Sequence, residues 1–527
     1  MRARRGAGVT GRFDVAVVGG GFAGSLFALA ARRAGRSVLL LEKSRHPRFA
    51  IGESTSPLAN LLLEGLCDDY GLERVRPLAA FGSWRRERPE LDCGLKRGFT
   101  FFSHREGERL ARTAARENEL LVAASPNDEV ADTHWLRAGV DHFLFAEAAR
   151  EGVECLEDAE ASVEELSEDS GGWRLGVRRG AGVRGVRARF LVDASGPRGF
   201  LHRALSLPED PFDALPAVQG LYTHFRGVAR VEEFAGPSAD CPPYPPDDAA
   251  VHHVFEGGWV WVLRFQSGLV SAGIAATPAL ARALALEEGA PAWERLLGRH
   301  PSLREQFAGA VPVRDFVHAP RLPFRTRTAS GPGWAMLPSA AAFVDPLLST
   351  GMPLALAGVR RLAGIVERDW DRPDFGDAVA GAGRRALREA DAAALLVAAL
   401  YASLGDFELF SSLTLLYFAA ASFAEAATRL GRPADSCGFL LLDHPEFAPA
   451  FAKTCRDVLD AGRRGALPGR RRELIAQVFA AIAPVDVVGL SVPGRHNWHP
   501  FDAEPLLAAG EKLGATRRQI EEMLART

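Results

Sequence analysis

At 527 residues the chain exceeds what one compact core encloses, so two or three structural units are expected. Apolar residues make up 47% and charged residues 24%, the balance of an ordinary globular protein. The formal net charge is −3 and the two signs are interspersed, which excludes a basic face for nucleic acid or an anionic membrane.

The six cysteines (Cys67, Cys93, Cys155, Cys241, Cys437 and Cys455) lie far apart without a C-x-x-C pair. They read as thiols of a reducing compartment rather than a disulfide framework. Met1 to Arg12 is basic, but the apolar run after it carries Asp14 and a glycine cluster, unlike an export signal. The most apolar stretches, Ala392–Leu404 and Leu413–Ala424, are separated by Gly405 and Asp406. Each is too short to span a bilayer, so buried helices and a cytoplasmic location are expected.

In chain order, Phe13–Val18 reads as a buried parallel strand. G-G-G-F-A-G follows at Gly19–Gly24, then a helix-period segment, Ser25–Ala34, and a second strand, Ser37–Leu41, ending in Glu42. This order is the dinucleotide fingerprint. Gly19 permits the tight turn, Gly21 lets backbone N–H groups approach a pyrophosphate, and Gly24 lets the helix pack on the sheet. Glu42 can accept from ribose hydroxyls. The same glycine spacing recurs at Gly6–Gly11 and Gly180–Gly185, where no helix follows, so both are expected to be loops.

Further on, R-F-L-V-D-A-S-G at Arg189–Gly196 is an apolar strand ending in Asp193, Ser195 and Gly196, and a late strand carries Trp334–Pro346. These three elements resemble the two-domain FAD monooxygenases of the glutathione-reductase-like fold. Asp132–Asp141 resembles that family's helix whose arginine approaches the flavin, here Arg137. The resemblance implies an α/β Rossmann domain for FAD, with an inserted antiparallel-sheet substrate domain and a helical C-terminal region. Without a second fingerprint for NAD(P)H, a separate flavin reductase is the expected source of reduced flavin.

A narrower resemblance is to the flavin-dependent halogenases, the tryptophan halogenases among them. R-F-A-I-G-E-S-T-S-P at Arg48–Pro57 is similar to their loop touching FAD, and K-R-G-F-T-F at Lys96–Phe101 resembles the strand of the catalytic lysine. Trp259 and Trp261 in G-G-W-V-W-V-L-R resemble the family's tryptophan signature. F-V-D-P-L-L-S-T-G at Phe343–Gly351 matches the family's F-x-x-P-x-x-S-x-G at every fixed position. The likeness covers roughly the first 375 residues.

What this resemblance implies is a route in which reduced flavin and oxygen turn halide into hypohalous acid, confined between two sites. Lys96 would relay the oxidant to an electron-rich ring, lysine being flexible and readily shifted in pKa by burial. Gly52, Glu53, Ser54, Arg137, Asp193, Gly196, Asp345 and Pro346 would hold FAD together with the first glycine turn. Backbone amides of Thr350 and Gly351 would hold the halide, Ser349 would sit on the strap between the sites, and Trp259 and Trp261 would crowd the flavin. His252, His253, His496 and His499 lack a supporting carboxylate or cysteine pattern, so no metal is assigned.

The departures have meaning too. Leu263 and Arg264 replace the end of the tryptophan signature, and Pro338 and Ser339 stand where a ribityl-binding Gly-Asp is usual, implying loose FAD binding. Leu348 occupies the place of the glutamate that tryptophan halogenases carry, which disfavours zwitterionic tryptophan. A phenol, pyrrole or other neutral aromatic, free or tethered to a carrier protein, fits better.

The FAD domain is expected from 11–80, 132–207 and 313–367, a substrate-side sheet region from 81–131 and 208–312, and a helical region from 368–527. Helices are read at Ala378–Ala402, Leu413–Arg429, His444–Ala461, Arg470–Ala483 and Gly514–Arg526. Three readings stay open: an aromatic halogenase; a halogenase-like oxidoreductase performing hydroxylation, dehydrogenation or alkene reduction; and a flavin-binding partner without turnover.

Overall fold

A computed structural model describes residues 9–167, 172–235, 240–432, 438–492 and 497–525. Cys437, His496 and the end of the expected last helix lie outside them.

Val9–Val18 pairs in parallel with Val38–Leu41 on one side and Gly182–Asp193 on the other. Trp334–Met336 extends the sheet beyond Gly182–Asp193, again in parallel. The register brings Val18, Leu41 and Asp193 level, with Met336 level with Asp193. Four strand ends therefore open onto one crevice, the place where an open parallel sheet takes a ligand. Gly180–Gly185 forms the turn between Gly172–Arg179 and Gly182–Asp193, a hairpin and not a nucleotide turn.

Among the described residues the second sheet has nine strands. At its centre Ala250–Phe255 lies between Gly98–Ser103 and Gly258–Arg264, followed by Val270–Ala276 and Gln219–Arg226. Nearly every residue of the three inner strands is buried, because one face meets helices of the C-terminal region and the other packs its own apolar cluster. Phe99, Phe101, Trp259 and Trp261 lie on the first face, and Phe102, Val260 and Val262 on the second. That is the period-2 alternation of a strand.

Three expected elements differ. The strand beginning at Trp334 stops at Met336, because Pro338, without an N–H, opens a one-turn helix, Pro338–Ala341. Asp132–Trp135 is a strand, and the helix is Arg137–Arg150. The segment from Lys96 is two strands: Cys93–Lys96 pairs with Asp132–Trp135 in a small separate sheet, and Gly98–Ser103 joins the large one. Arg97 makes the break, its N–H bonding the Asp248 carbonyl at 2.6 Å and its guanidinium reaching Asp128 at 2.7 Å.

The helix expected from Leu413 begins at Phe407, where Asp406 caps the Leu409 N–H at 3.3 Å. At 23 residues it is long and apolar enough to cross a bilayer, but 78% of its most apolar window is buried inside the protein. It packs on Leu467–Ile482 and on Pro57–Tyr70. Phe410 is fully buried, edge-on to Phe101 at 5.9 Å and stacked on Phe407. Phe410→Ala should lower unfolding free energy by about 3–5 kcal/mol in denaturant titration, as expected for a buried phenylalanine; a loss under about 1 kcal/mol would mean this helix is not part of the sheet's core.

Candidate active site

The glycine turn is built by close approach. Gly19 holds φ at +114°, and a Cβ there would sit 2.4 Å from the Ala194 carbonyl oxygen. A Cβ on Gly24 would sit 2.0 Å from the Gly19 carbonyl oxygen, so helix Phe22–Arg33 can rest on the turn only without a side chain there. No side chain within the helix caps it. Instead the Phe22 N–H reaches Asp141 at 3.1 Å, from the neighbouring helix Arg137–Arg150.

Asp141 in turn receives Arg137 through two bonds, at 2.8 and 2.9 Å. The same guanidinium donates to the carbonyls of Ile51 and Gly52. Arg48 bonds Glu42 at 2.9 Å and reaches Asp141 at 3.4 Å. Glu42 also accepts the N–H groups of Gly20 and Ser44. Its pKa is lowered: burial raises it, but Arg48 and these N–H groups outweigh that. The Arg137 and Arg48 guanidiniums come within 3.5 Å of where a Gly21 Cβ would stand. A helix N-terminus flanked by two arginines fits a pyrophosphate. Arg48 was not singled out from the sequence, although it opens the quoted loop; its meaning depends on the Glu42 and Asp141 it meets in space.

The loop Gly52–Thr55 links this turn to the second sheet. Gly52 has φ +90°, and Glu53 bonds His224 at 3.0 Å across the interface, its other oxygen buried without a partner. Ser54 bridges to His134, its hydroxyl likewise buried and unpartnered. Asp193 is spent locally, bonding Ser195 and the Leu201 N–H, and Gly196 turns the chain at φ +85°.

The strap is strained. Leu348 and Ser349 both hold left-handed backbone, at φ +64° and +53°, a conformation that costs L residues of order 1 kcal/mol each. Leu347 and Leu348 are fully buried, which anchors the turn. Helix Gly351–Arg368 starts immediately after it, with Thr350 at the cap, no side-chain cap bond and no acidic residue in its first turn. Gly351 has open space where a Cβ would be. Eighteen aligned residues with free first amides suit a small anion.

Asp345, ahead of Pro346 on the strap, is held by a residue from the C-terminal region. Tyr401 donates to Asp345 at 2.9 Å, and the Trp259 indole donates to Tyr401 at 3.1 Å. Trp259 and Trp261 share a face with ring centroids 5.7 Å apart. Arg264, the departure from the tryptophan signature, bonds Asp247 at 2.7 Å and two backbone carbonyls, so it is bound away from these rings. Tyr401 lies on an Ala/Leu-rich helix that offered no chemical signal; only the fold brings it to the strap.

Lys96 is the other centre. The chain has four lysines against fifty-nine arginines, and Lys96 is 0% exposed. Its Nζ donates to the Thr55 carbonyl and lies 3.8 Å from the centre of the Phe99 ring. Burial lowers its pKa, opposed by Asp132. Phe99 in turn meets His252, Tyr417 and Phe418, and Phe101 stacks on His252 at 4.4 Å and meets Phe410 edge-on. His252 is held neutral, burial pushing it down to about 3. At the far end of the neighbouring strand Gly98–Ser103, a cavity of about 1040 Å³ is lined by His104, Leu110, Phe255, His300 and Phe407. Among the described residues no group of three metal-ligating side chains occurs.

Asp345 carries a pH consequence. Burial raises its pKa to about 7, with the Leu347 N–H, Tyr401 and Trp259 pulling the other way. An unfolded aspartate titrates near 4. The native state therefore favours the protonated form, and that stability is complete below about pH 4 and is lost as pH rises through about 7. Asp345→Asn should raise the melting temperature relative to wild type at pH 8, with the gain shrinking toward pH 4. A difference that does not change with pH would contradict this.

A family model of FAD-dependent oxidoreductases matches residues 14–344. Tetracycline 7-halogenase of Kitasatospora aureofaciens is 32% identical over 351 residues, covering 64% of this chain and 60% of that protein. Monodechloroaminopyrrolnitrin halogenase PrnC of Pseudomonas fluorescens is 29% identical over 369 residues, covering 69% of this chain and 63% of that one. The matched region thus spans less than two thirds of these relatives. Halogenase PltM superposes with a TM-score of 0.81 at 25% identity, over 92% of this chain and 99% of that one. The chain belongs to the FAD-dependent oxidoreductases, enzymes with FAD as cofactor, and within them its likeness is to the flavin-dependent halogenases.

Proposed function

We propose that the protein halogenates an electron-rich aromatic ring, phenol- or pyrrole-like and free or carrier-tethered, with Lys96 relaying the halogen. One observation carries this reading: a fully buried lysine set over an aromatic ring, in a chain that uses arginine far more than lysine. Structural roles for a buried cation favour arginine, whose charge is permanent; a lysine can lose its proton.

Gly19, Gly21, Gly24, Glu42, Arg48, Arg137 and the Gly52–Ser54 loop would hold FAD, with Asp193, Gly196, Asp345 and Pro346 shaping the far side. Bound reduced FAD, supplied by a separate flavin reductase, provides with oxygen the oxidising power that turns halide into hypohalous acid. Thr350 and Gly351 amides hold the halide at a helix N-terminus. Ser349 and the buried leucines keep the strap closed against water, so the oxidant travels toward Lys96. Trp259 and Trp261 occupy space that a substrate for direct oxygenation would need.

The Pro338–Ser339 departure does not remove every carboxylate from the strap side, because Asp345 stands there. Tetracycline and pyrrolyl-carrier substrates belong to similar proteins by name, and they support an aromatic acceptor here. With Leu348 apolar, a neutral ring is preferred. A cytoplasmic location goes with this reading, as does a place in secondary metabolism.

The test is direct. Purified protein with FAD, a flavin reductase, NADH and bromide or chloride should add halogen to members of a phenol and pyrrole panel, seen by mass spectrometry as isotope doublets. Hydroxylated or dehydrogenated product without halogen would replace the proposal with the oxidoreductase reading. Reduced flavin that decays in air no faster with protein than without would point to a partner without turnover.

A further inference from the structure

Lys96 has a neighbour that the halogenase likeness does not assign. In the small antiparallel sheet Lys96 is directly opposite Asp132. Residues so paired have Cβ atoms about 4.5–5.5 Å apart on one face. Asp132 is 3% exposed. Asn60 donates to its Oδ1 at 2.8 Å, while its Oδ2 is buried with no hydrogen-bond partner. A carboxylate oxygen left buried and unbonded is unfavourable, so the arrangement asks for a proton or a donor there.

We propose that Asp132 and Lys96 work as one proton-sharing pair, with Asp132 the positioning residue that takes the lysine proton and returns it during halogen transfer. This rests on the halogenase reading above. When the proton sits on Asp132, the Lys96 amine attacks the halogen of hypohalous acid. The N–X bond forms, the O–X bond breaks, and the departing hydroxide takes a proton from that nitrogen to leave as water. The ring carbon then attacks the halogen, breaking N–X, while Asp132 returns its proton to the nitrogen. The proton freed from the ring carbon goes to the Lys96 amine, which passes a proton back to the Asp132 carboxylate. The sum is ring C–H plus hypohalous acid giving ring C–X plus water, with the pair restored.

The surroundings suit such sharing. Burial pushes Lys96 down and Asp132 up, so the two proton affinities converge; the charge of each partner works against that shift in the other. From Pro57–Tyr70 the pair meets Asn60, and from the preceding loop the Thr55 carbonyl. From Phe407–Arg429 come Tyr417, bonded to Ser56, and the charges of Glu425 and Arg429, which oppose each other on Asp132. His134 and His252 feel the Lys96 charge, and burial keeps both neutral, at about 3.

Having four lysines makes the pair observable. Protein labelled at lysine Cε and Nζ, loaded with FAD, gives one titrating signal per lysine, and near-ultraviolet circular dichroism reports that each variant is folded. The Lys96 signal should titrate well below the ordinary lysine value of about 10.4. Asp132→Asn should lower that midpoint further by about one unit or more, the loss of a nearby opposite charge, and Asp132→Glu should restore most of it. Turnover should fall roughly 10²-fold in Asp132→Asn, the lower end of what a positioned proton carrier supplies, with KM changed less than about threefold. A Lys96 midpoint that Asp132→Asn leaves within about 0.3 units would overturn the pairing. If wild type halogenates nothing, the functional reading fails, and the lysine titration still decides whether the pair exists.

Discussion

Enclosing an amine in an apolar wall is the demand around which this protein is arranged. A lysine head group taken out of water loses hydration that only bonding or loss of its proton makes good. Lys96 has the Thr55 carbonyl, the Phe99 ring and Asp132 in place of water. Those partners come from three separate places: the loop that leaves the first glycine-turn domain, the strand of the large sheet, and the strand preceding the Arg137 helix. None can move far without exposing or stranding the charge. The amine therefore ties the nucleotide end of the molecule to the sheet end.

The C-terminal helices complete the enclosure. Tyr417 and Phe418 pack on the Phe99 ring that Lys96 faces, Phe410 packs on Phe101, and Tyr401 fastens the strap through Asp345. The two ends of the proposed halogen path thus share one set of helices. Strain at Leu348 and Ser349 is sustained by full burial of Leu347 and Leu348.

The sequence made the first half of this legible for a physical reason. A pyrophosphate turn needs glycine at fixed spacing because carbonyls lie 2.0–2.4 Å from where a Cβ would be, so the demand is written in local residue types. Gly19, Gly24, Asp193 and the strap could be read in that way. Lys96 was readable only as a lysine in an apolar strand. Its break from that strand at Arg97 could not be foreseen, since the bonds of Arg97 to Asp248 and Asp128 are set by folding. Arg48, Tyr401 and Asp132 escaped notice for the same reason. An arginine in a loop, a tyrosine in an alanine-rich helix and an aspartate at a strand start carry no spacing rule. Proline at 338 shortened the late strand, where apolar patterning suggested continuation.

In the proposed route the oxidant is made at one place and delivered at another by Lys96. Parallel measurement of aromatic product and of hypohalous acid caught by a trapping reagent, in wild type and in Lys96→Ala, separates the two events. The account predicts that the alanine variant still binds FAD and still yields trapped oxidant, while halogenated aromatic product falls by two or more orders of magnitude, roughly 10²-fold or beyond. Product formation in Lys96→Ala equal to that of wild type would contradict it.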